Sequence, residues 1–324
     1  MNLSYTARLL CLLIVSSGLT AVAVECALAA AASWMEPRLR GMNARRHERA
    51  LFVLQVLPLA AGLVFALAFC LPQYLLYEPN STPEAVSGWC LLLMAAAFAW
   101  FGTAAFRGLR LVLRTMHFVR ACRRTGVASE ETPASGRIPV LTLEQPDRII
   151  ALVGLLRPAI LISRDVRASL SRHSLDVALA HERAHAAQRD NWKLLVLLLL
   201  PRLPLRASRA WMRQWQETAE WAADEAAVSG SRTRALLLAQ TLVTVARRGP
   251  MPATPPIRTA LTCEEARLAV RVERLVSPAA RTPRASRAMR AVLLAAGALA
   301  IAAAVAAMQS PWIYQIGEHI LHLG

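Results

Sequence analysis

His181, Glu182 and His185 stand in the order H-E-x-x-H within the stretch ALAHERAHAAQRD, residues 178–190. On a helix, positions i and i+4 share one face about a turn apart, so both imidazoles can reach a single ion. Glu182, beside the first His, then sits next to a metal-bound water without being a ligand, where its carboxylate can act as a general base. Zinc needs a third protein ligand, and the run Glu220-Trp221-Ala222-Ala223-Asp224 offers Glu220, with Asp224 one turn further on to orient a ligand from behind. The pattern predicts a zinc site for peptide-bond hydrolysis: His181, His185 and Glu220 as metal ligands, Glu182 as base. Asp224 and Asp190 are the carboxylates expected to hydrogen-bond the ligand histidines and fix their tautomers. The plainer reading, a surface pair of histidines with an ordinary charged neighbour, is weakened by the Glu220/Asp224 partner; for Asp224 a capping or solvated role stays open. The histidines at His47, His117, His173, His319 and His322 stand alone and are not expected to be ligands. No residue suggests itself as the stabiliser of a tetrahedral oxyanion.

The elements that must hold such a site are apolar. Of 324 residues 56% are hydrophobic, and the formal net charge is +16, with a mean hydropathy of +0.38. Together these values point to a multi-spanning membrane protein with its positive charge on cytoplasmic loops. Nucleic-acid binding is not expected, because no basic face with base-contacting or stacking groups is present. Lys193 is the single lysine, the remaining basic residues being arginine.

In chain order, an apolar run in residues 1–35 is long enough to cross a bilayer, which takes about 20 residues. A signal peptide is the alternative, disfavoured because the Arg-rich segment after it would then be exported. Glu25 inside this span is either functional or, the favoured reading, a protonated or hydrogen-bonded group at a helix contact. Residues 36–49 form a basic cytoplasmic loop, 50–77 a second span with a kink expected at Pro58, and 78–88 an outer loop without Lys or Arg. A third span covers 89–105. Beyond it Arg107, Arg110 and Arg114 recur at helical spacing, either on a helix entering the inner leaflet surface or on a solvated continuation of the span. A polar linker at 125–136 is followed by strand-like runs IPVLTLE, RIIALV and AILIS, with a turn at Gly154. Ser171 reads as the N-cap of the motif helix, expected to run to about Asn191. Residues 192–200 are apolar but too short to span, so they are a buried core helix or a segment dipping into the membrane. Trp211, Trp215 and Trp221 suit either the interface or the domain interior, and Ser229-Gly230 should end their helix. Cys70 and Cys90 flank the outer loop, where a disulfide is the alternative and plain packing near the span ends the favoured reading. A last span at 290–308 leaves 309–324 as a short outer tail.

Every loop's charge agrees with four spans, both termini outside, and a domain at 106–289 on the cytoplasmic side. The chain resembles the BlaR/MecR family of membrane-embedded zinc metallopeptidases of the gluzincin type. The resemblance rests on His181-Glu182-Arg183-Ala184-His185, Arg189-Asp190, Glu220 with Asp224, the Gly154 to Pro158 turn, and Arg271-Val272-Glu273-Arg274-Leu275 ahead of the last span. It implies an α-helical multi-pass membrane protein with four transmembrane helices and a cytoplasmic α+β zincin-like domain between the third and fourth, in a bacterial cytoplasmic membrane. It also implies Zn²⁺ as cofactor and a protein substrate, such as a transcriptional repressor or the chain itself, in signal transduction. Family members that sense beta-lactams carry a penicillin-binding domain after the last span; only 309–324 follow it here, against the roughly 50 residues of a small domain, so no direct beta-lactam binding is expected. An extended substrate is expected to add as a strand to AILIS. The rival function classes are a membrane scaffold or signal transducer with an idle zinc site, and a zinc enzyme acting on lipid or peptidoglycan. Retention of the Glu182 carboxylate speaks against the scaffold, and a cytoplasmic site against the last.

Overall fold

A computed structural model describes residues 4–78, 88–128, 138–144, 149–247, 258–260 and 265–277. Three helical stretches in it are long and apolar enough to cross a membrane: Tyr5–Ala30, Ala44–Tyr77 and Gly88–Thr125. The fourth span expected at 290–308, the tail at 309–324 and positions 79–87 of the outer loop lie outside the described residues.

Helix α1 (Tyr5–Ala30) is capped by Ser4, whose side chain accepts from the Ala7 N–H. The basic stretch after it is mostly helix: α2 (Ala32–Arg40) leads by a three-residue turn into α3 (Ala44–Phe65), capped by Asn43. Helix α3 passes through Pro58 without a break. The irregular turn lies further on, a π-helical stretch at Ala66–Cys70 before α4 (Leu71–Tyr77). Pro72 has no N–H to offer the Ala68 carbonyl, which accounts for the widened turn there. The helix that carries the third span does not end at residue 105. It is one helix, α5 (Gly88–Thr125), that carries its arginines straight into the domain.

Helices α1 and α3 touch backbone to backbone at Gly62, where a Cβ would lie 2.3 Å from the Ser17 carbonyl oxygen. Small residues allow such approach where no hydrophobic effect drives helices together. Gly62→Val should force them apart and cost about 1–3 kcal/mol, seen as a lower thermal midpoint of the detergent-solubilised protein.

The domain's sheet has the order β1-β2-β4-β3-β5, built from β1 (Val127–Ala128), β2 (Val140–Leu143), β3 (Ile150–Val153), β4 (Ala159–Ser163) and β5 (Arg258–Ala260). Only β2 and β4 are parallel; the other pairs are antiparallel. Alternation along the strands divides two cores. Ile150, Leu152, Ile160 and Ile162 face one way, while Ala151, Val153 and Leu161 face Phe118, Val119 and Cys122 at the C-terminal end of α5. Burial on both faces explains why these strands read as unbroken apolar runs. Gly154 supplies the φ of +90° that turns β3 towards β4. AILIS is β4, an inner strand flanked by β2 and β3, so it has no edge to offer a substrate.

On the first face lie α7 (Arg172–Gln188) and α10 (Arg232–Ala246), after a short α6 (Arg164–Ser169). Ser171 caps α7, its Oγ accepting from the Ser174 N–H at 3.2 Å. Helix α8 (Asp190–Leu199), α9 (Arg206–Val228) and α11 (Glu265–Val276) complete the domain. The apolar segment of α8 packs with Trp211 and Trp215 of α9 and with Leu39 and Leu51, joining spans and domain through one core.

Candidate metal centre

The motif helix ends earlier than its pattern suggests. Arg189 adopts the left-handed conformation, φ 56° and ψ 38°, and α8 starts afresh at Asp190. Such a conformation costs a non-glycine residue about 1–2 kcal/mol. Its effect is to swing Asp190, which in a continuous helix would point away, onto His185: Oδ2 accepts from Nδ1 at 2.8 Å. Helix α9 supplies the opposing wall. Ala219, Ala222, Ala223 and Ala227 are buried along it and let it approach α7 closely, presenting Glu220 and Asp224 one turn apart.

His181, His185 and Glu220 form a group whose ligand atoms all lie within 4.8 Å of one another, and both histidines are fully buried. The Nδ1 of His181 faces Asp224 Oδ1 at 2.9 Å and that of His185 faces Asp190, so the two Nε2 atoms turn inward and meet at 3.1 Å. With each Nδ1 held against a carboxylate, the two Nε2 atoms converge beside Glu220, a donor set suited to a metal cation. The electrostatics agree. Burial alone would strip an imidazole of its proton, yet Glu220 and Asp190 outweigh it and push His185 up to about 10. His181 is raised likewise, burial being overcome by Asp224 and Glu220. Two nitrogens and one carboxylate at this spacing fit zinc with a fourth position left open.

Glu182 is wholly buried, and burial pushes its carboxyl up to about 7 despite the two imidazoles that oppose the shift. Its Oε2 accepts the Leu152 N–H of β3 at 2.7 Å, while Oε1 has no protein partner. The site therefore sits against β3. The Ile160 N–H bonds the Pro139 carbonyl, so the 152/160 pair is a non-hydrogen-bonded one and Leu152 turns its N–H and C=O away from β4. That outward edge carries Glu182 on the N–H, Asn191 Nδ2 at 3.3 Å from the C=O, and β5 alongside.

The structure thus gathers all six residues singled out in the sequence around one point. It adds three that sequence reasoning missed. Arg271 of α11, 2% exposed, pairs with both oxygens of Asp224 at 2.8 and 2.6 Å and sets Nη1 2.9 Å from Glu220 Oε2. Burial opposes ionisation of Glu220 and Asp224, but Arg271, with the histidines, holds both carboxyls below the usual range. Lys193 lies 3.1 Å from Asp190 Oδ1 and 3.0 Å from Glu48 Oε1. Glu48, at the start of α3 and fully buried, also accepts the Trp215 indole N–H at 2.8 Å. A chain of charge contacts runs from the second span through Lys193 and Asp190 to His185. The clues in the sequence are that Lys193 is its sole lysine and that Arg271 lies in the run 271–275 ahead of the last span.

The family described as BlaR1 peptidase M56 matches residues 88–275, from the start of α5 to the last turn of α11. The chain belongs to that family. As an M56 metallopeptidase it holds its H-E-x-x-H pair and following Glu in one cluster, His181, His185 and Glu220. No curated protein matches the chain. Within this M56 site, Asp190→Asn should lower metal affinity about 10- to 100-fold, because an amide can present N–H₂ to His185 Nδ1 and favour the wrong tautomer. Competition against a chromogenic chelator measures it.

Proposed function

We propose that the chain is a membrane-bound zinc endopeptidase that cuts a cytoplasmic or membrane protein in regulatory signalling, by cleaving a repressor or itself. The observation that carries this is the convergence of both His Nε2 atoms and Glu220 beside a Glu182 oxygen left unengaged by protein. Zinc held by His181, His185 and Glu220 would acidify a water towards pKa about 7 and polarise the scissile carbonyl. Glu182 takes the proton of the attacking water on Oε1 and delivers it to the leaving amine. Asp190 and Asp224 hold the imidazoles in the tautomer that leaves Nε2 unprotonated. The edge of β3 that borders the metal centre is taken by β5, so an extended substrate backbone can add there as a strand only in place of β5.

A segment of the chain itself already runs antiparallel on this edge: Arg258, Thr259 and Ala260 lie opposite Val153, Leu152 and Ala151. This supports self-cleavage near residues 258–264 as one of the reactions. In orientation, we take the domain as cytoplasmic, four spans as its anchor, and both termini as outside, on the charge of the loops.

The test compares protein N-termini by mass spectrometry in cells producing the wild type or Glu182→Ala. N-termini present only with the wild type are expected, including one within this chain close to β5. Identical sets from the two strains, with zinc bound to both proteins, would overturn the endopeptidase reading.

A further inference from the structure

Cys70, expected to face Cys90 if either paired, instead sits in a separate cluster with Leu12 and Tyr74. Cys90, in the first turn of α5, meets Cys11 of α1. Their sulfurs are 3.0 Å apart, about 1 Å beyond the ~2.05 Å of a disulfide bond. Both side chains are buried, at 0% and 1% exposure, with Val15, Leu91 and Met94 around them.

The juxtaposition belongs to the packing of the two helices rather than to one pair of rotamers. One heptad further along both, a Cβ built on Gly18 would lie 3.4 Å from the Ala97 Cβ, so the helices run in the same direction and in register. The end of the bundle that holds the pair is also closed by other contacts. Arg8, one turn before Cys11, forms a buried ion pair with Glu78 at 2.5 Å, and the Tyr74 hydroxyl donates to the Tyr5 carbonyl at 3.0 Å. Trp89, beside Cys90, is exposed as an interfacial aromatic would be.

We propose that Cys11 and Cys90 form a disulfide that ties the first and third spans at their outer ends. The proposal rests on the orientation given above, in which these ends face the oxidising side of the membrane, where disulfides persist. The oxidant is a disulfide-bearing protein or small molecule of that compartment, acting by exchange. One cysteine thiolate attacks the oxidant's S–S bond and forms a mixed disulfide; the other cysteine attacks that and releases the second oxidant sulfur. Two S–H bonds and one S–S bond are lost, one S–S bond forms in the chain, and the oxidant leaves with both electrons and both protons as two thiols. Exchange occurs during assembly, before neighbouring side chains cover the pair. Because α5 runs unbroken to Thr125 and packs Cys122 on the sheet, the bond fixes the helix on which the sheet rests.

The test quenches membranes containing the full-length chain with N-ethylmaleimide and maps cysteine peptides by mass spectrometry, with and without reduction. The expected result is a crosslinked Cys11–Cys90 peptide in most molecules, split by dithiothreitol and absent from Cys11→Ser, in which Cys90 becomes alkylated after denaturation. A second arm treats reduced membranes with copper phenanthroline, which joins the sulfurs wherever they can meet. A bond formed only in that arm overturns the native disulfide and leaves the packing standing; no bond in either arm overturns both. Labelling of Ser4→Cys by a membrane-impermeant maleimide in right-side-out vesicles reads the orientation separately. If Ser4→Cys is labelled and no native bond is found, the disulfide fails alone; if it is unlabelled and no bond is found, the orientation falls with it.

Discussion

Glu182→Gln should slow peptide hydrolysis by the purified, zinc-loaded protein about 10²- to 10⁴-fold, the range a positioned general base contributes. The substitution keeps the size of the side chain and an oxygen that can still accept the Leu152 N–H, now made at 2.7 Å. It removes the basicity of Oε1, the oxygen that has no protein partner. Zinc content and thermal midpoint should therefore hold while turnover falls, with kcat carrying the loss and KM little changed, since the amide keeps the bond to β3. Measured on a peptide spanning residues 250–270 of this chain, a variant retaining more than a tenth of wild-type kcat would remove Glu182 from the base's role.

The parts of this site that could be read from the sequence are those fixed by helical periodicity. His181 and His185 on one face of α7, Glu220 and Asp224 on one face of α9, and the Ser171 cap all follow from spacing within single helices. What could not be read depends on where the chain turns. Nothing in the pattern announces a left-handed Arg189, because the residue that usually marks such a stop is glycine, so the helix seemed to continue and the means by which Asp190 reaches His185 was hidden. Sheet order was hidden for a different reason. IIALV and AILIS are both buried on both faces and look alike, and only the ladder and the Glu182 bond show that β3, not β4, borders the metal centre. The contacts of Glu48 with Lys193 and of Cys11 with Cys90 join residues 145 and 79 positions apart, pairings that follow from how the spans pack and that no local motif encodes.

Removal of Arg271 should be the most damaging single change to the metal-free protein. Its guanidinium is the only Lys or Arg group that the described residues place within ion-pair distance of Glu220 and Asp224, and all three side chains are largely withdrawn from water. Deleting one partner of a buried pair leaves uncompensated charge, which costs about 3–5 kcal/mol; Arg271→Leu should lower the stability of the metal-free protein by about that much. Arg271→Lys should recover part of it, since an ammonium restores the charge but cannot span both Asp224 oxygens as the guanidinium fork does at 2.8 and 2.6 Å. Adding Asp224→Asn to Arg271→Leu should also recover part, because one stranded carboxylate is gone, and the cycle of single and double variants measures the coupling. Loading with zinc should shrink the deficit, the ion supplying beside Glu220 the positive charge the variant lacks. Denaturant unfolding of the four proteins in detergent, with and without zinc, gives these numbers. A loss below about 1 kcal/mol for Arg271→Leu, the size expected of an exposed ion pair, would mean that α11 only covers the site and does not hold its carboxylates in place.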